Sequence, residues 1–243
     1  MEAELYQQMR DLEDRHWWFL GRRAIVESLL RDSGLPAQAR LLDLGCGTGG
    51  NLAMLSAFGE VVGAELDAQA AKLARERNLA PIVRGRLPDG LPLAAGVFDC
   101  VTLLDVLEHI ADDGAALQTV HGLLAPGGRL LITVPAFAFL WGPHDEAHHH
   151  QRRYRAGELR RLLEANGYEI TTLSYCNTWL FPIVALVRLL HRVLPTGKGT
   201  NELQLPPGPV NTLLAALFAS ERHVLKTGLP FGVSLVALAR KVE

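Results

Sequence analysis

Cysteine is scarce. Cys46, Cys100 and Cys176 are the only three in 243 residues, and none stands in CxxC spacing. A disulfide framework and a thiolate zinc site therefore find no support. Long basic runs are also missing. Lys and Arg number 24 against 26 Asp and Glu, a formal charge of −2, so nothing calls for nucleic acid as a partner. The short cluster Arg152-Arg153-Tyr154-Arg155 reads as a local anion clamp, a salt bridge to the helix that follows it, or a solvated face. No apolar stretch is long enough to cross a bilayer. The most apolar late one, 179–187, contains Pro182 and is closed by Arg188. The N-terminus is charged from its second residue and has no secretory apolar core, so a reducing cytoplasm is the expected compartment.

What the chain does contain is alternation. Residues 4–32 have helical periodicity, stopped by Gly34 and Pro36. Strand patterns at 40–44, 60–65, 81–83, 98–105 and 129–134 then alternate with helical ones at 51–58, 68–77 and 114–124. A long loop covers 135–155. A helix at 156–166, a strand at 168–175 and a last strand at 232–240 follow. Between the last two strands lie helical patterns at 179–194 and 210–226, joined by the Pro/Gly-rich linker at 195–209. This order predicts an α/β fold: a Rossmann-like, mostly parallel seven-stranded sheet with helices on both faces. One domain over 1–243 is expected. It comprises a helical cap (1–36), a cofactor-binding core (37–175), a helical insert (176–231) and the last strand (232–243).

The turn after the first strand is "LLDLGCGTGG". Gly45, Gly47 and Gly50 fit the GxGxxG spacing of a dinucleotide turn, and Glu65 closes the second strand as a ribose acid would. Such a turn lies at the carboxyl edge of the sheet, where ligands bind. Asp43 argues against a diphosphate, because a carboxylate beside the turn repels one. It suits a zwitterionic ligand with an ammonium group.

At this point the residues resemble the class I S-adenosylmethionine-dependent methyltransferases. "LLDLGCGTG" is similar to their first motif and "VVGAELD" to their second. "FDCVTLLDVLEHI" and "LLAPGGRLLITVP" match the fourth- and fifth-strand regions in the same order. "HWWFLGRR", "HDEAHHHQRRYR" and "LPFGVSLVALARK" resemble a bacterial subgroup of methyltransferase-domain proteins. The resemblance implies S-adenosyl-L-methionine as cofactor, held by Asp43, Gly45, Cys46, Gly47, Gly49, Glu65, Leu66, Leu87, Asp105 and Val106. In one place the pattern departs: "VRGRLPDGLPL" carries Arg86 where an adenine-contacting acid is usual, which leaves adenine to backbone groups and apolar side chains, with Leu87 a candidate contact.

The loop after the fifth strand holds the candidate chemistry. Methyl transfer to a hydroxyl needs a base, and imidazole titrates near working pH. His144 or His148 is the candidate base, with Asp145 as orienter. The same residues also fit a polar network that merely orders the loop. Imidazole and carboxylate are also ordinary ligands of a divalent metal, but the spacing matches no recognised signature, so no metal is the expectation. His16, Trp17, Trp18 and Phe19 either seat the cap or line the cleft; Arg22 and Arg23 are candidates to reach the cofactor or acceptor. The expected activity is methyl transfer to a small-molecule or lipid-linked acceptor, such as a glycan precursor, on oxygen. A non-catalytic binding or regulatory subunit is the alternative. Residues 178–194 offer an amphipathic surface for peripheral membrane contact or a homodimer.

Overall fold

The computed structural model describes residues 3–193 and 204–242. Two helices come first, α1 (Ala3–Leu12) and α2 (Trp17–Arg31), where the periodicity predicts one. The break has a local cause. His16 is extended (φ −72°, ψ 134°), and its Nδ1 accepts the Trp18 N–H at 3.3 Å, so it caps the second helix.

The core then alternates: β1 (Ala39–Leu44), α3 (Leu52–Leu55), β2 (Gly59–Glu65), α4 (Ala68–Arg75), β3 (Ile82–Arg84), β4 (Phe98–Leu104), α5 (Asp113–Leu123) and β5 (Leu124–Pro135). After β5 come α6 (Pro143–Ala147), α7 (Ala156–Ala165), β6 (Tyr168–Cys176), α8 (Phe181–Val193), α9 (Gly208–Ser220) and β7 (Ser234–Lys241). The seven strands form one sheet in the order β3-β2-β1-β4-β5-β7-β6. Only β7 runs antiparallel to its neighbours, between β5 and β6. The expected fold class is the observed one. The order reverses between β1 and β4, and the carboxyl ends of these two strands open a crevice there.

Alternate side chains of the strands point to opposite faces. Leu42, Leu44, Leu103 and Ile132 pack with Leu117 and Val120 of α5 and Leu159 and Leu163 of α7. Leu41, Cys100 and Leu131 pack on the other face with Ile25, Val26 and Leu29 of α2 and Phe218 of α9. Cap and insert are thus joined through α2 and α9. Gly21 makes this approach close: a Cβ there would lie 2.4 Å from Phe218 Cδ1. All three cysteines are buried and free, as their spacing implies.

Three boundaries differ from the sequence reading. A short helix, α6, stands inside the long loop. Helix α3 is half the expected length. The pattern at 210–226 breaks at Glu221, whose buried carboxylate accepts the N–H groups of Thr178 (2.6 Å) and Trp179 (2.9 Å). The end of the expected 179–194 helix and residues 195–203 of the linker lie outside the described residues.

Candidate functional site

One cleft of about 1320 Å³ runs along the carboxyl edge of the sheet. Its floor is the turn after β1. Gly45 has φ +70°, and a Cβ there would sit 2.5 Å from Val106 Cγ2, so only glycine lets this turn close on the β4 turn. Gly47 has φ +56° and no atom near its missing Cβ, which leaves open space over the loop. Glu65 fixes the turn from β2: its Oε2 accepts the Gly47 N–H at 2.9 Å and its Oε1 the Asp67 N–H at 2.8 Å. A carboxylate has about four acceptor positions. Two remain on Glu65 for hydroxyl groups, and its side chain faces the cleft.

Gly45, Cys46, Gly47, Glu65, Leu66, Leu87, Asp105 and Val106 all line this cleft, with Arg86 beside Leu87. Two expected contacts stand elsewhere. Asp43 is not at the lip: it lies in β1, 1% exposed, with Oδ1 accepting the Thr102 hydroxyl at 2.6 Å. Its Oδ2 is buried without a hydrogen-bond partner. Burial pushes this carboxyl up to about 6. An acid on a strand's final turn points by register, and here register aims it at β4. Gly49 packs against α4, where a Cβ would sit 3.3 Å from Ala74 Cα.

The cap forms the roof. Glu13 is buried. Its Oε1 accepts the Thr48 hydroxyl at 2.5 Å and pairs with Arg77, which also donates to the Thr48 carbonyl. Trp17 and Trp18 do both things foreseen for them. They line the cleft, and the Trp17 N–H donates to Asn211 of α9 at 2.9 Å. Arg22 reaches down to pair with Asp105, its guanidinium 4.6 Å above the Trp18 ring. Asp105 is held at φ +60° at the tip of β4, its N–H bonded to the Thr133 carbonyl. Arg23 serves structure instead, donating to the Glu13 and Gly50 carbonyls.

The far wall is the histidine loop. His149 ends α6 in the left-handed conformation (φ 56°), which folds His150 back so that its N–H meets the Asp145 carbonyl at 2.9 Å. His144, His148, His149 and His150 line the cleft with His109. The His144 and His148 rings are 4.3 Å apart. Burial, then the charges of Arg188 and His150, lower His144 to about 4, so its imidazole is neutral at working pH. Burial lowers His109 to about 4 as well. Asp145 is fully buried behind the wall, not in it. It accepts from Arg153 at 2.8 and 2.9 Å, and the imidazole it bonds at 2.8 Å is His150. Burial would raise Asp145, yet the bonds from His150 and Arg153 outweigh it and hold the carboxyl far below the usual range.

Arg152 and Tyr154 are not an anion clamp. Both bond Asp113 of α5, at 2.7 and 2.9 Å, rather than the helix that follows them. Sequence reasoning reads Glu108, like His109 beside it, as a structural residue of the turn after β4. It is fully buried with neither carboxylate oxygen paired, and burial, with Asp105 beside it, pushes its carboxyl well above the ordinary value. A lone acid after a strand carries no sequence signal of burial.

From the insert, Ile183, Val184 and Val187 of α8 line the cleft. Leu186, Leu189 and Leu190 stay exposed on the same helix. No helix among the described residues is long and apolar enough to cross a membrane.

Residues 14–173 match the family described as "Methyltransferase domain". The ubiquinone biosynthesis O-methyltransferase of Xanthomonas axonopodis pv. citri is 32% identical over 57% of this chain and 66% of its own length. The ubiquinone/menaquinone biosynthesis C-methyltransferase of Pectobacterium carotovorum subsp. carotovorum is 31% identical over 54% of each. The chain therefore spans less than two thirds of either relative. Among solved structures, an S-adenosylmethionine-dependent methyltransferase of Thermotoga maritima superposes with a TM-score of 0.58 at 21% identity, over 93% of both chains, a likeness of fold.

Proposed function

Because the chain belongs to the methyltransferase-domain family, we propose that it moves a methyl group from S-adenosylmethionine to an oxygen of a small or lipid-linked acceptor, such as a glycan precursor. S-adenosylmethionine is the cofactor, and it supplies, when bound, a methyl group on a cationic sulfur. The observation that carries the acceptor reading is that the glycine turn, the histidine wall and the apolar face of α8 share one cleft.

The cradle fits that cofactor. Glu65 has two acceptor positions left for a ribose diol, and the turn amides suit a carboxylate. Leu66 and Leu87 take the flat base, with no acid needed at Arg86. Asp43 lies beneath the turn, and its unpaired Oδ2 makes the floor favour a positive group over a diphosphate. Trp17 and Trp18 screen the sulfur from water. Asp105, held by Arg22, marks the methyl end of the cleft.

Alignment does most of the chemistry here, because the donor loses its charge in the transfer. The acceptor hydroxyl still needs to lose a proton. His144 or His148 takes it; burial keeps His144 neutral at working pH, and its lowering to about 4 makes it a weaker base than the ordinary imidazole the sequence suggests. The relatives named for O- and C-methylation leave the acceptor atom to this argument. The half-exposed apolar residues Ile183, Leu186 and Val187 then receive the acceptor's apolar part at a bilayer surface. The segments around Trp17 and His148, which resemble those of a bacterial subgroup of the family, line this cleft and support the acceptor reading.

Sedimentation with anionic liposomes, together with turnover assayed on membrane extracts and on detergent-free soluble fractions, tests this. Binding with activity confined to membrane acceptors is expected. Equal activity on soluble acceptors without liposome binding would reject the lipid-linked acceptor.

A further inference from the structure

We infer that Glu108, His109 and His150 form a binding site for a divalent first-row transition cation of the zinc type, open on one side to the cleft. Their ligand atoms lie within 4.8 Å of one another. Zinc bonds of about 2.1 Å place tetrahedral ligands roughly 3.4 Å apart, so small side-chain rotations suffice to close the set. Two nitrogens and one carboxylate are the ligands such a cation takes in open sites, whereas magnesium and calcium take oxygen.

Three further observations point to a ligand. Glu108 is fully buried and both its oxygens lack a partner, so a cation set against it would supply the partner its carboxylate lacks. Arg22 and Arg153 act on it only at a distance, while Asp105 adds repulsion. Second, His150 is positioned as metal-bound histidines are. Its Nδ1–H donates to Asp145, which leaves Nε2 as the ligand atom, and Arg153 fixes Asp145 in turn. Third, the two segments are tied together at the site: the Gln151 N–H donates to the Glu108 carbonyl at 2.7 Å, and the His109 and His150 rings meet edge-to-face at 4.7 Å. No regular spacing relates Glu108 and His109 to His150, so the sequence carries no metal signature.

All three residues line the cleft, so the remaining coordination position faces it. An acceptor oxygen bound there would be acidified. That extension rests on the oxygen-methylation reading; cation binding itself does not.

The test is calorimetry of chelator-stripped protein with zinc chloride alone, without cofactor or acceptor. Wild type should bind one equivalent and show no saturable uptake of magnesium. Glu108→Gln and His150→Ala should each weaken zinc by at least about tenfold, as should Asp145→Asn through His150. His121→Ala, on α5 and away from the cleft, should bind like wild type. Circular dichroism melts identify any variant that fails to fold; His109→Ala then replaces it. Absence of saturable zinc binding in wild type would overturn the site. So would unchanged affinity in folded Glu108→Gln and His150→Ala, or loss on His144→Ala alone. Methyl transfer is not read in this experiment, so its failure is distinguishable.

Discussion

The hydroxyl of Thr48 donates to the carboxylate of Glu13 at 2.5 Å, so the N-terminal cap is fastened to the glycine turn itself. The fastening is compact: a Cβ on Gly50 would sit 2.3 Å from Glu13 Oε2. Glu13→Ala removes the tie and leaves Arg77 with Asp14 as its remaining acidic partner. S-adenosylhomocysteine affinity should fall about tenfold, or roughly 1.4 kcal/mol, in calorimetry. Turnover at saturating cofactor should change far less, because the histidine wall is untouched.

Asp43 sets a pH dependence. Its folded-state carboxyl, raised by burial to about 6, binds a proton more tightly than in the unfolded chain. Its contribution to stability is therefore full below about pH 4 and is lost as pH rises through about 6, a swing on the order of 3 kcal/mol. Asp43→Asn should raise the thermal midpoint at pH 8 and leave it nearly unchanged at pH 4. The same variant should bind S-adenosylhomocysteine more weakly at pH 8. Wild-type affinity should decline as pH falls through 6. Thermal melts and titrations at both pH values check the two signs.

Cap and insert should fold as partners. Gly21→Ala drives a methyl group into the Phe218 ring. Overpacking of this kind costs about 1–3 kcal/mol. Gly21→Ala with Phe218→Leu should recover part of that loss in denaturant melts, because the smaller side chain vacates the space.

The base is separable from the cradle. His144→Ala or His148→Ala should cut turnover by about 10²–10⁴ while cofactor affinity stays within about twofold. Only the variant that removes the base should show the full loss. An unchanged rate in both would assign the proton to another group.

Much of the sheet was legible in the sequence because strands buried on both faces are short apolar runs between turn signals, as at 98–104. Glycines and acids at strand ends carried the cofactor side: Gly45, Gly47, Glu65, Asp105 and Val106 all reach the cleft. Side-chain direction was not legible. Asp43 was read as facing ligand and Asp145 as orienting His144 or His148, yet Thr102 claims one and Arg153 with His150 the other, contacts made across elements. The break at His16 was hidden because periodicity continues through it. Glu108 and His150, 42 residues apart, are brought together by the Gln151–Glu108 backbone bond and the His109–His150 ring contact.

The turn after β1 holds a sulfonium nucleoside and not a dinucleotide, and calorimetry at pH 7.5 with S-adenosylhomocysteine and with NADH tests this most directly. S-adenosylhomocysteine should bind one per chain in the micromolar range, Glu65→Ala should weaken it at least about tenfold, and NADH should give no heat. A saturable NADH isotherm, or no S-adenosylhomocysteine binding by folded protein, would contradict it.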